Sequence, residues 1–119
     1  MLNFINKLPY KYFDIKTKIE YIERRIIIYS IQYYELNQSV VSDKDYDKLS
    51  KYLCKLKDKY KGVYETTEYY YCLYDFDAST GFYIYDRLNK KDKVKLRHIA
   101  EHILMLYNTK GVDKVEVTE

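Results

Sequence analysis

Two helical stripes separated by one short polar loop constrain this chain more than any other feature. Apolar side chains recur at Ile15, Ile19, Ile22, Ile26, Tyr29, Tyr33 and Leu36, in steps of three and four that share one helical face. The spacing predicts a helix from about Asp14 to Leu36, ended by Asn37-Gln38-Ser39. Ser42 then reads as the N-cap of a second helix, with Asp45 three residues on as a shortened capping box. Its inner stripe is Tyr46, Leu49, Leu53, Leu56 and Tyr60, and Lys61-Gly62 stops it. Val40 and Val41 pin the loop into the core. Helices joined by so short a connection must pack as an antiparallel pair.

The second half is less regular. "GVYETTEYYYCLYDFDASTGF", residues 62–82, is rich in strand formers. It reads as an irregular aromatic crossover with a short strand around Tyr69 to Leu73. Thr80-Gly81 marks a break before a short helix, Phe82 to Leu88. Asn89 caps a last helix, about Lys90 to Asn108, with Val94, Leu96, Ile99, Ile103 and Leu106 facing inward and Gly111 ending it. The tail "VDKVEVTE" alternates, as an edge strand or a frayed end would. The expected fold is mainly α, a single domain over residues 1–119. A helical hairpin (14–60) is followed by an aromatic crossover and a C-terminal helix (61–119), with one or two short strands in the middle segment.

Composition narrows the function classes. A chain of 119 residues is long enough to bury a core without staples. Hydrophobic content of 47% with 33% charge fits a soluble globular protein rather than a disordered one. The longest apolar run, Ile26 to Tyr29, falls far short of the roughly 18 residues of a membrane span. The first residues do not resemble a signal peptide. Cys54 and Cys72 read as reduced side chains, so a cytoplasmic protein is expected. Seventeen tyrosines accompany four phenylalanines and no tryptophan. With abundant Lys, Ile, Asn and Asp, this AT-rich codon usage points to a low-GC bacterium or its phage. The net charge is only +3. The lysine runs, Lys44 to Lys61 and Lys90 to Lys95 with Arg97, are interleaved with aspartates, which favours solvated helix faces over nucleic-acid binding.

Two short motifs suggest chemistry and then fail on context. "HIAEH", His98 to His102, matches the H-x-x-E-H of inverted zinc peptidases, with both histidines one turn apart. Such enzymes need a third ligand well downstream, and only 17 residues follow His102. "DFD", Asp75 to Asp77, resembles the D-x-D of haloacid-dehalogenase phosphatases, but a bracing role in a tight turn before Ser79-Thr80-Gly81 suits a chain without βαβ alternation. No catalytic residue and no metal site is assigned.

The stretch "YYELNQSVVSDKDYDKLSKYLCKLKDKY", residues 33–60, carries a more specific signal. It resembles Y-[YH]-x(8)-[SP]-D-x-x-Y-D-x-L-x(3)-L-x-x-L-E-x-x-Y-P, the pattern of the small N-terminal helical domain (domain Ia) of bacterial NAD-dependent DNA ligases. In that family the domain holds the nicotinamide mononucleotide (NMN) half of NAD. By resemblance, Tyr33, Tyr34, Asp43, Tyr46 and Asp47 form a cofactor-binding site. The tyrosine rings would stack on or wall in the nicotinamide, and the aspartates would take ribose hydroxyls or face the pyridinium charge. The chain departs from the pattern at Tyr34, where the family commonly has histidine, and at Lys57 and Lys61, where it has glutamate and proline. It contains no K-x-D-G adenylation motif, so the resemblance implies an NMN or NAD binding module without ligase activity. It is similar to short ligase-related proteins of low-GC bacteria and their phages.

Two other readings stay open. Asp43 can be a capping carboxylate and Asp47 a complement to the helix dipole, with Tyr46 as packing. In a different function class, a phage or mobile-element protein could use this scaffold to bind and inhibit a host protein, such as a defence nuclease, through exposed tyrosines.

Overall fold

A computed structural model describes residues 14–118, with side chains as far as Thr109. Helix α1 (Ile15–Ser30) starts where the Asp14 carboxylate accepts the Thr17 N–H at 2.7 Å. That N-cap bond holds the Asp14 carboxyl below the ordinary carboxylate range. Ile19, Ile22, Ile26, Ile27 and Ile28 are buried, because later elements pack on more than one side of this helix.

The helix then widens into a π-helical segment (Ile31–Glu35), in which the Leu36 N–H donates to the Ile31 carbonyl at 3.0 Å. A π turn holds one residue more than an α turn and shifts the phase of the face beyond it. Tyr33, expected inward by extrapolating the α stripe, is consequently 51% exposed. Fully buried Gln32 donates from Nε2 to the Ala100 carbonyl at 3.2 Å, tying this segment to the last helix. Asn37, at φ 58°, turns the chain away, a conformation asparagine tolerates better than most residues.

Helix α2 (Asp43–Lys59) begins at the expected cap, with Ser42 Oγ accepting the Asp45 N–H at 3.1 Å. Leu49, Leu53 and Leu56 are buried against α1. Ser30 meets Tyr46 next to the loop, while the Lys18 ammonium lies 5.5 Å from the Tyr52 ring centre farther along, as an antiparallel pair requires. The stop near residue 60 comes from Tyr60 itself, at φ −121° and ψ 49°. Gly62 instead lies inside the next turn, α3 (Lys61–Tyr64).

The strand expected around Tyr69 to Leu73 is a helical turn, α4 (Tyr70–Leu73), and no strand occurs among the described residues. Tyr69, Cys72, Leu73 and Phe76 are all buried. Their spacing of three, four and seven is helical, and burial on that face outweighs the strand preference of tyrosine. The Tyr64 hydroxyl donates to the Leu73 carbonyl at 2.6 Å. Helix α5 (Ile84–Arg87) lies within the expected Phe82 to Leu88. The Arg87 guanidinium sits 4.8 Å from the Tyr74 ring centre and 4.2 Å from that of Tyr83. It also pairs with both oxygens of Asp75, at 2.6 and 3.2 Å, and this holds the Asp75 carboxyl below its ordinary range.

Helix α6 (Lys90–Thr118) starts at Asn89, whose Oδ1 accepts the Asp92 N–H at 2.7 Å. Its buried apolar positions among the described side chains are Leu96, Ala100 and Leu104, with Ile99 and Ile103 half-buried. Val94 is 66% exposed and Leu106 is also exposed, against expectation. Val94 and Leu96 are two residues apart, about 200° around a helix, and cannot share a face. Gly111 does not end the helix, which continues to Thr118 where an edge strand or frayed end was expected. One hydrophobic core draws on α1 to α6.

Within this core lies a buried carboxyl group. Glu23 on α1 is fully buried, with Thr67 Oγ1 at 2.9 Å from its Oε2 and 2.8 Å from the Tyr64 carbonyl. The Thr67 hydroxyl thus has two acceptors within reach of its one hydrogen. Burial pushes the Glu23 carboxyl up to about 8 from 4.5, opposed by the Thr67 hydrogen bond and reinforced by the charges of Glu20 and Glu68. The folded state therefore binds the extra proton, so the stability this group contributes is complete below about pH 4.5 and is lost as pH rises through 8. Glu23→Gln should match the wild type in melting temperature near pH 5. It should exceed the wild type near pH 9 by an amount equivalent to a few kcal/mol, read by thermal denaturation across pH.

The Tyr71 hydroxyl accepts the Asn89 N–H at 3.1 Å and donates to Asp92 Oδ2 at 2.6 Å, fixing the start of α6 to α4. Tyr71→Phe removes both bonds and should cost about 1–2 kcal/mol, measured as a lowered urea midpoint at unchanged m.

Candidate functional site

The π-helical segment determines where this site forms. It brings Tyr33 and Tyr34 edge to face, ring centres 4.8 Å apart, facing the first turns of α2. There Asp43, Tyr46, Asp47 and Ser50 follow at steps of three and four and share a helix face. Tyr29, Ser39 and Val41 fill the corner from the hairpin side, and Phe76, Ala78, Ser79 and Thr80 close it from the loop after α4. These residues line a half-open cavity of roughly 220 Å³.

All five residues singled out in the sequence, Tyr33, Tyr34, Asp43, Tyr46 and Asp47, line this one cavity. Their contributions differ. The Tyr46 hydroxyl lies 2.7 Å from Ser30 Oγ, which donates its own hydrogen to the Ile26 carbonyl at 2.8 Å. Tyr46 must therefore be the donor, and only its ring remains for a ligand. Burial pushes its phenol above the ordinary value, against the pull of the Ser30 hydroxyl. Ser50, near enough to ease ionisation of the same phenol, is buried and makes no hydrogen bond of ordinary geometry. Tyr34, among the residues lining the cavity, reaches across to Thr80, hydroxyl to hydroxyl at 3.3 Å. Asp47 pairs with Lys51 at 3.0 Å through largely exposed side chains, an arrangement worth little in stability.

The loop wall went unassigned in the sequence. Asp77 accepts the Ser79 N–H at 2.9 Å and the Ser79 hydroxyl at 2.6 Å, which braces a turn and holds the Asp77 carboxyl below its ordinary range. Ala78 takes φ 69° at its centre. The turn itself is legible from Asp-Ala-Ser-Thr-Gly, but no local spacing links residues 76–80 to a site at 33–47.

His98 and His102 lie elsewhere, both exposed on α6. Among the described residues no three metal-type side chains come together. Cys72 is buried, and burial pushes its thiol up to about 12, which suits packing rather than nucleophilic chemistry.

Comparison with known proteins agrees with the resemblance seen in the tyrosine–aspartate stretch. Residues 12–68 match a family described as "DNA ligase-like, N-terminal NAD+-binding domain". A DNA ligase of Fervidobacterium nodosum is 44% identical over 46 residues, which are 39% of this chain and 7% of that enzyme. The chain thus spans only a small fraction of the ligase it matches. No solved structure matches the chain significantly.

Gly81 is required here for room rather than for backbone freedom. A Cβ at this position would sit 2.6 Å from the Tyr46 hydroxyl and 2.7 Å from Ser30 Oγ. Gly81→Ala must displace that pair or the loop, and should destabilise the protein by about 1–3 kcal/mol, seen in chemical denaturation.

Proposed function

We propose that this corner is a binding site for the nicotinamide end of NMN or NAD+, in a module without ligase activity of its own. One observation carries the reading: five residues read from one motif surround a single cavity. The ring of an oxidised nicotinamide is flat and cationic, and such a group is stabilised by aromatic faces and nearby carboxylates. Tyr33, Tyr34 and Tyr46 supply the rings, and Asp43 and Asp47 the charge. The family match over residues 12–68 supports the same ligand class. The 119 residues contain no adenylation lysine motif, so within them the nucleotide is held rather than activated.

Calorimetric titration tests this directly. NMN and NAD+ should bind with dissociation constants below about 1 mM. Tyr33→Ala and Asp47→Ala, at positions outside the buried core, should weaken binding roughly tenfold or more while leaving the melting temperature nearly unchanged. Absence of heat from every nicotinamide compound at millimolar concentration would rule the reading out.

Exposed aromatic side chains beyond residue 68, Tyr74 and Phe82, favour a second reading, in which the chain binds and inhibits a host protein through that surface. Under it the protein ignores nucleotides and forms a stoichiometric complex that substitutions at Tyr74 and Phe82 disrupt.

A further inference from the structure

Charges that alternate in the sequence of α6 separate in space. Lys90, Lys93, Arg97 and Glu101 follow at steps of three and four and so share one helix face. With Val94 beside them and Tyr85 on α5, they line an open groove of roughly 440 Å³, and His98 stands at its edge in the same lining. Asp92, which interrupts these lysines in the sequence, is turned about 200° around the helix from Lys90. It is buried away from the groove, where its Oδ2 accepts the Tyr71 hydroxyl at 2.6 Å. Among the residues that line the groove, one carboxylate therefore faces three fixed cations and a histidine.

Two of these cations are held in place by Tyr85. Lys93 Nζ lies 5.4 Å from its ring centre and Arg97 Cζ 5.8 Å, with Arg97 Nη1 3.5 Å from its hydroxyl. Glu101 accepts the Arg97 Nε–H at 3.2 Å. Arginine carries five N–H donors, so these contacts orient the guanidinium and still leave it donors for an anion. Side chains ordered before binding lose less entropy when a ligand arrives. Phosphate oxygens are the groups that guanidinium and ammonium meet with strong, charge-assisted hydrogen bonds. From Lys90 to Arg97 the cations span about 10 Å of helix axis, longer than a single phosphate. The groove also falls within the ~300–1,000 Å³ typical of small-ligand sites. We infer that it binds the polyphosphate chain of a small ligand, at a second site that shares no lining residue with the tyrosine–aspartate cavity. The site is built from residues 85–101, beyond the family-matching segment 12–68.

The test is a calorimetric titration of the full chain with sodium tripolyphosphate at low ionic strength. Inorganic phosphate, a short single-stranded oligonucleotide and an oligoglutamate peptide are titrated in parallel. Tripolyphosphate should bind with a dissociation constant below about 1 mM, and inorganic phosphate roughly tenfold or more weakly. Lys90→Glu and Lys93→Glu, both outside the buried core, should each weaken tripolyphosphate roughly tenfold or more at an unchanged melting temperature. Lys55→Glu makes the same charge change at an exposed position on α2 and should cost less than about threefold. Equal losses from Lys93→Glu and Lys55→Glu would reduce the effect to overall charge and overturn the inference. No heat from tripolyphosphate at millimolar concentration overturns it as well. So does binding of the oligonucleotide or the peptide without binding of tripolyphosphate, which would assign the groove to a macromolecule.

Discussion

The hydrogen bond from the Tyr46 hydroxyl to Ser30 Oγ is the contact on which the rest of the site depends. It joins α1 to α2 beside their loop, and Gly81 presses against the joined pair from the far half of the chain. Three segments distant in sequence are thereby held to one geometry. Without a partner the phenol would be a buried polar group, a loss of about 1–3 kcal/mol. The tyrosine ring can line a cavity only because its hydroxyl is satisfied behind it.

The same logic runs through a core built largely from tyrosine. Each ring contributes apolar area, but its hydroxyl must be met. Tyr64 finds the Leu73 carbonyl and Tyr71 finds Asp92. Among the described residues, Tyr69 is fully buried with its hydroxyl unpartnered, as is Glu23 Oε1. A core of this kind is specified by hydrogen-bond direction as well as by volume. The irregular segment between α2 and α6 is thus joined to the core by tyrosine hydrogen bonds as well as by its short helices.

The parts of the fold legible in the sequence were those whose signals are local. Asp14, Ser42 and Asn89 stand where helices begin, and Leu49, Leu53 and Leu56 lie on the buried face of α2. The π turn at Ile31–Glu35 leaves no such mark, so the α-helical period does not predict the exposure of Tyr33. At Tyr70–Leu73 a run of strand-favouring residues concealed a helical burial pattern that only the completed core reveals. In α6, apolar residues occur on two faces, Val94 and Leu106 on the exposed one, and contact with Gln32 at Ala100 decides which face is inside. For the site, one motif gave the tyrosines and aspartates, while the loop wall rests on long-range packing that leaves no periodic trace.

The segment with family likeness stops at residue 68, yet the core does not. Leu73, Phe76, Ile84, Leu88, Leu96 and Ala100 are buried together with the isoleucines of α1. Excised at that boundary, the ligase-like part would present one side of α1 bare to water and lose a wall of its cavity. The segment of likeness is thus smaller than the hydrophobic core it contributes to. In this protein the second half covers the side of α1 that α2 leaves open, so the segment shares its interior with residues beyond it.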